Sequence, residues 1–365
     1  MSDYESKIEE LWWEAMSLPH GPTKVSLLEE AVRLADLHND VQMGFESRSQ
    51  LMEAAIFSGR IDLLMVAFAW CLAAYDRDPE NFDEFDLLWK YKWVVHQTLE
   101  FPAITRARME EMLADMERRF RAGGHSLHAV TQQRRDLLID MHDVEGAKQA
   151  HAAHKKTKVD FLSDCRACTR ANDGDYYAML KKWKQQLKTL EPVLAGKLTC
   201  AEQPISSASK AMITMLRLGQ VDEAKELQQK YVKKLKLGND HNRMASNHIT
   251  FLSLTGEPAK AKRIFEKFLP EILESVSRAD RLHLFRAGVV MLDRLGQKSK
   301  TVKLIAHPEL PAPDDKGLHE IAALRDWMYN DALKISRIYD ARNGNDGEER
   351  ITTELPEFIA DLSVA

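Results

Sequence analysis

Leu218-Gly219-Gln220-Val221-Asp222-Glu223-Ala224 reads as one helix ending and the next beginning. The form is Leu-Gly-x-x-x-x-Ala, a turn between two antiparallel helices whose Ala packs against the first helix where only a small residue fits. Thr255-Gly256-Glu257-Pro258-Ala259-Lys260-Ala261 has the same form, with Thr255 in the Leu position. Leu295-Gly296 opens another such turn. Met141-His142-Asp143-Val144-Glu145-Gly146-Ala147 matches with His142 in the Gly position, and Leu180-Lys181-Lys182-Trp183-Lys184-Gln185-Gln186 is a weaker copy. The turn residues fall at 142, 181, 219, 256 and 296, at spacings of 39, 38, 37 and 40. A regular period of this size marks stacked helical hairpins, each too small to bury its apolar face alone.

Outward from this core the same architecture continues with less regular turns. Leu27, Leu28, Ala31, Val32, Leu34 and Ala35 form one apolar face at helical spacing, and Ser58-Gly59-Arg60 separates two helices. Phe82, Phe85, Trp89 and Trp93 also share a face, expected to meet a partner helix. Pro102 is expected to start a helix that Gly123-Gly124 breaks. After the Pro-rich loop His307-Pro308-Glu309-Leu310-Pro311-Ala312-Pro313 comes a long helix, His319 to Tyr339, expected to cap the array. Asp340-Ala341-Arg342-Asn343-Gly344 begins a turn-rich break, with a short strapped segment or frayed tail after it. No stretch alternates like a strand, and the pattern gives about fourteen helices, roughly seven pairs. The predicted fold is all-α, a right-handed superhelical array of antiparallel helix pairs. Residues 1–122 form irregular N-terminal hairpins, 123–306 the periodic repeats, and 307–365 the loop, capping helix and tail.

The 365 residues are 44% hydrophobic, enough for a sizeable core. With 51 basic and 56 acidic residues the net charge is -5, which argues against a general nucleic-acid binder. No run of apolar residues is long enough to span a membrane, and Met1-Ser2-Asp3-Tyr4-Glu5 does not open a signal peptide. A cytoplasmic location follows as the expectation, and with it reduced rather than disulfide-bonded cysteines.

Three of the four cysteines stand out. Cys165-Arg166-Ala167-Cys168 opens the first helix of one unit, and Cys200 lies just before the first helix of the next. First helices of consecutive units stack side by side, so the three sulfurs are placed to meet. Tetrahedral zinc wants four ligands. The candidates for the fourth are Asp164, Glu202, His151, His154, His248 or water, since Cys71 lies far off in an apolar helix. One structural zinc at Cys165, Cys168 and Cys200 is one expectation, and thiols packed as small apolar groups with no cofactor is the other. A redox pair fits poorly, because no βαβ pattern surrounds the C-x-x-C.

Other clusters read more plainly. His151 and His154 share a helix face as a possible metal pair. Asp76, Asp78, Glu80, Asp83, Glu84 and Asp86 make an acidic loop without Ca²⁺-loop spacing. Lys181, Lys182 and Lys184, with Lys230, Lys233, Lys234 and Lys236, offer a basic patch for phosphate or an acidic peptide, or a solvated helix face. No constellation for catalysis is present, so the chain is not expected to be an enzyme.

Several blocks resemble a group of bacterial tetratricopeptide-repeat proteins of poorly defined function: Leu27–Ser49, Tyr75–Trp93, Asp115–Phe120 with Gly124-His125-Ser126-Leu127, Cys165–Pro204 and Asp340–Gly344. The resemblance implies the helical-repeat fold and no reaction. It also implies a His after the Pro of Cys200-Ala201-Glu202-Gln203-Pro204, where this chain has Ile205. The expected role is a scaffold or regulator that binds a peptide or partner domain in the groove of the superhelix. The alternative is a nucleic-acid-binding helical repeat using Lys181–Lys236.

Overall fold

At four of the five expected turn positions the backbone enters the left-handed region: His142 (φ 59°), Lys181 (54°), Gly219 (75°) and Gly256 (82°). Each turn closes in the same way. The N–H after the left-handed residue donates to a carbonyl five residues back: Asp143 to Leu138, Lys182 to Tyr177, Gln220 to Met215 and Glu257 to Leu252, at 2.8–2.9 Å. This motif satisfies carbonyls that a helix end leaves unpaired. Asn39, Gly59 and Gly124 repeat it in the N-terminal third, through Asp40 to Ala35, Arg60 to Ala55 and His125 to Phe120. The small residue of the pattern is fully buried at Ala147, Ala224 and Ala261. Where the weaker copy carries Gln186 instead, the Thr214 hydroxyl donates to its amide oxygen at 2.7 Å.

The computed structural model describes residues 2–237 and 241–363, and among these the chain is all-helical apart from one pair of two-residue strands. The helices of the first part are α1 (Asp3–Ser17), α2 (Pro22–Leu37), α3 (Val41–Phe57), α4 (Ile61–Arg77), α5 (Glu84–Gln97) and α6 (Arg106–Ala122). The middle holds α7 (His128–Asp140), α8 (Val144–His154), α9 (Arg166–Met179), α10 (Trp183–Leu194), α11 (Ile205–Arg217), α12 (Val221–Val232), α13 (Asn242–Leu254) and α14 (Pro258–Glu274). Then follow α15 (Arg278–Gly296), α16 (Ile321–Asn343), α17 (Gly347–Thr353) and α18 (Leu355–Leu362). Consecutive helices pack as neighbours, apart from α8 and α9. Several odd-numbered helices also touch the next odd one: α1 on α3, α3 on α5, α5 on α7, α7 on α9, α11 on α13 and α13 on α15, but not α9 on α11 to the same extent.

Several expectations need correction. The described residues hold eighteen α-helices rather than about fourteen. Gly296 is not a left-handed turn. It ends the 19-residue α15, and β1 (Thr301–Val302) follows instead of a second helix. β1 pairs antiparallel with β2 (His319–Glu320), so the Pro-rich loop is a pinched excursion between two short strands. Pro102 lies in the loop before α6, whose N-cap is Thr105, with its side chain accepting from Arg108 N. The long helix runs from Ile321 to Asn343, and Gly344 (φ 76°) stops it. The strapped segment is two further helices, α17 and α18; positions 364 and 365 lie outside the described residues. Of the aromatic face, Trp89 and Trp93 pack on the core, but Phe85 is exposed.

Two features position the candidate sites. First, the apolar core is divided. One large cluster draws on residues from Phe45 to Leu162, the other on residues from Ile205 to Leu362. The segment between them contributes buried residues to neither cluster. Second, the C-terminal helices reach back across the molecule. Tyr339 Oη donates to Glu100 O (2.9 Å), Arg342 Nη1 to Leu99 O (2.8 Å) and Asn345 Nδ2 to Met141 O (2.7 Å). His142 Nε2 meets Glu348 Oε1 at 3.0 Å. These bonds span more than 200 residues of sequence and form a seam between α16–α17 and the segments 99–100 and 141–142.

Candidate metal centre

The three cysteines lie in the segment between the two apolar clusters. Cys165 is the N-cap of α9 and accepts from Cys168 N at 3.5 Å. A helix that starts at Cys165 turns Cys168, one turn on, to the same side. Cys200 comes from the loop before α11, where its N–H donates to Gln203 O at 3.2 Å. Pro204 follows Gln203 through a cis peptide bond. The three sulfurs all lie within 4.8 Å of one another, with Cys168 and Cys200 Sγ 3.4 Å apart. Thiolates about 2.3 Å from a tetrahedral zinc stand about 3.8 Å apart, so the triangle suits one ion.

The electrostatics agree with a cation-binding role. Burial pushes the Cys168 thiol well up, and the Glu202 charge and the neighbouring thiols add to this. Burial raises Cys200 as well. Glu202 is itself raised, by the protein mass around it and by the Asp164 charge. Burial favours the protonated form of these thiols. Cys71 behaves differently. It is fully buried in α4 among apolar side chains, and burial pushes its thiol up to about 12.

Most candidates for a fourth ligand are committed elsewhere. Asp164 accepts from Lys92 Nζ (2.9 Å) and from Gln132 Nε2. The Lys92 ammonium is buried, also bonds Leu162 O (2.8 Å) and sits 3.4 Å from the Trp89 ring centre. Releasing Asp164 to a metal would strand that charge. His151 stacks on Tyr176 at 3.8 Å, and His154 faces His128 at 4.2 Å with its Nδ1 on Thr131 Oγ1 (3.1 Å). The two histidines thus turn to different neighbours and do not form a metal pair. His248 is fully buried in α13. Among the described residues the three cysteines are the one group of potential ligands this close, with Glu202 the nearby carboxylate whose charge reaches Cys168.

The remaining clusters are accounted for by local contacts. In the acidic loop Asp76 pairs with Arg119, Asp78 accepts from Asn81, Asp83 caps α5 and Asp86 pairs with Lys90. Lys181, Lys182 and Lys184 border a shallow cleft with Trp183 at the start of α10, while Lys230 to Lys236 lie at the end of α12. A scan against protein-family models found none that matches the chain, and no curated protein matches it either.

Sequence reasoning missed a cluster of charged residues drawn from several helices. Lys210 Nζ pairs with Asp175 Oδ2 at 2.6 Å, and Arg243 Nη2 stands 3.8 Å from Glu100 Oε1. Burial opposes the Arg243 charge, but Glu100, Asp140, Asp280 and Glu348 outweigh it and hold its pKa up. These residues come from α7, α9, α11, α13, α15 and α17 and from the turn after α5, so several helices converge on one space. Each is a charged residue on a polar helix face, which in sequence looks the same as any solvated face.

Proposed function

We propose that the chain is a tetratricopeptide-like, right-handed superhelical array, of the bacterial type its sequence resembles, that binds a polypeptide along its inner face. On this reading it is a cytoplasmic adaptor or regulator and not an enzyme, and zinc at Cys165, Cys168 and Cys200 is a structural joint between two repeats. The observation that carries the reading is the row of polar side chains supplied one per first helix: Asp140, Asp175, Lys210, Arg243 and His283. Lys210 and Arg243 keep 45% and 44% of their side-chain surface exposed although each lies among groups from several helices. Half-open charged groups inside a concave surface are suited to main-chain and side-chain contacts with an extended segment. Mixed signs along the row favour a partner segment that carries both charges. Among the described residues no helix is long and apolar enough to cross a membrane.

The test is a photo-crosslinking residue placed at Arg243 in cells, with the same residue at exposed Arg33 as control. A discrete polypeptide should crosslink at 243 and not at 33, and Lys210→Glu should reduce it at least tenfold. Equal labelling at both positions, unaffected by Lys210→Glu, would sink the reading.

A further inference from the structure

Cys168 and Cys200 Sγ stand 3.4 Å apart, and a disulfide draws two sulfurs to about 2.05 Å. Local bonds hold each sulfur in its place. Cys168 lies one turn into α9, which Cys165 caps. The Cys200 loop is tied to α11: Cys200 N–H donates to Gln203 O (3.2 Å), and Gln203 Oε1 accepts from Ser207 N (3.2 Å) and Ser207 Oγ (2.7 Å). Both cysteines are half-buried, so a small reagent reaches them, whereas Cys71 is sealed in α4 with its Sγ 3.9 Å from Phe45 O. The missing βαβ setting counts against Cys165 with Cys168 as an exchange motif, and leaves a pair formed between two hairpins untouched.

We propose that Cys168 and Cys200 are a site of reversible oxidation, closed into a disulfide by a hydroperoxide and reopened by thiols. This goes beyond the polypeptide reading and stands without it. With hydrogen peroxide, one thiolate attacks a peroxide oxygen: an S–O bond forms, the O–O bond breaks, and the departing hydroxide leaves as water with that thiol's proton. The second thiolate then attacks the sulfenic sulfur. The S–S bond forms, the S–O bond breaks, and hydroxide again leaves as water with the second thiol's proton. Two electrons have passed from the sulfurs to the peroxide. Two molecules of an external thiol reverse the step by exchange and leave as their own disulfide. The thiolate is the form that ligates metal, so sulfurs bonded to each other are lost as donors. Reduced, the cluster answers to metal alone; oxidised, it keeps only Cys165. The bond joins the start of α9 to the approach to α11, in the segment between the two large apolar clusters.

The experiment treats the full chain, reduced and freed of metal, with one equivalent of hydrogen peroxide, blocks the remaining thiols and digests with trypsin without reduction. Cleavage after Lys158, Arg166, Arg170, Lys197 and Lys210 puts the three cysteines on separate peptides, 159–166, 167–170 and 198–210. The expected main product joins 167–170 to 198–210, with two of the chain's four thiols lost and both restored by dithiothreitol. Cys165→Ser should leave this crosslink in place. In urea the pair nearest in sequence, Cys165 with Cys168, should take over, because short loops close most readily. A main product containing Cys165 in the folded chain, a crosslink between two chains, or sulfinic acid without a crosslink overturns the proposal. So does an equal yield of the Cys168–Cys200 link in urea, which would show that the fold does not direct it. Zn²⁺ added before the peroxide should block the crosslink. A crosslink that zinc does not slow would keep the oxidation site and reject the metal reading of the same sulfurs.

Discussion

The seam and the thiol joint are both polar regions inside a helical protein, and they are built in opposite ways. At the seam nearly every charge has met its complement. Arg286 Nη2 pairs with Glu348 Oε2 at 2.7 Å, its Nε donates to Thr352 Oγ1, and Asp340 accepts from the N–H groups of Glu348 and Glu349. Burial works against the Glu348 carboxylate, but the His142 hydrogen bond and Arg286 hold it well below the usual range. At the thiol cluster, burial pushes Cys168 and Cys200 up, so no charge there has met a complement. A saturated cluster is a fastening that works by itself. The three thiols are close enough together to hold one cation.

The sharpest way to break this contrast is to remove one partner at the seam. Arg286→Met leaves Glu348 buried with half its compensation and should cost about 3–5 kcal/mol in urea unfolding, whether or not metal is present. A loss under 1 kcal/mol would mean that the seam contributes no stability.

Acid separates the two kinds of polar group next. His154 and His248 are buried, and burial lowers each to about 4. A base depressed in the folded state contributes stability that is intact above the unfolded value near 6.5. That stability is lost as pH falls through 6.5 towards 4, because the unfolded chain takes up the proton first. Each histidine should therefore cost about 3 kcal/mol by pH 4. The Glu348 contribution, from a carboxylate held low in the folded state, is intact above about 4.5 and is lost as pH falls below that value. Urea midpoints at pH 7 and pH 4.5 check this, and His248→Leu should flatten its own share of the slope.

The joint should respond to metal alone. Zinc at about a hundredfold over its Kd should stabilise the chain by about 2.7 kcal/mol. Cys168→Ser should abolish that gain while changing the metal-free protein little. Equal stability with zinc and with chelator would reduce the thiols to packing groups.

The smallest effect lies in the turns. Lys181 and His142 both hold a left-handed conformation that costs a side chain about 1–2 kcal/mol. Lys181→Gly should gain up to about 1 kcal/mol by relieving it. The same change at His142 also deletes the bond to Glu348 and should lose about 1 kcal/mol net. Matching signs at the two positions would show that the His142–Glu348 contact is idle.

Much of the helical architecture was legible because turn chemistry is local. A left-handed residue followed by an acidic first turn can be read within seven residues, and the bonds that close it span only five. Asn39 was missed because Asn reaches the same conformation without the Gly signal. The cysteines were legible in part because a helix that begins at Cys165 turns Cys168, three residues on, to the same side. Gly296 misled because the same dipeptide also fits the end of a long helix that no second helix follows. The seam was not legible at all. Its partners lie more than 200 residues apart, and no local pattern in Leu99-Glu100 or Met141-His142 announces them. Lys92 was likewise hidden, a charge in an aromatic helix whose use depends on Asp164, 72 residues away.

The seam has a consequence for how the molecule comes apart. A row of hairpins that touch only their neighbours can fray from either end, one unit at a time, and can be trimmed without harm to the rest. Here the stretch from residue 99 to 348 is tied at both ends to itself. Removing α16 and α17 would not shorten a row but cut a loop, exposing the far side at Glu100 and His142 as well. The C-terminal helices therefore act as a keystone, and the tied part should melt in one cooperative step while α1 to α4 remain free to fray.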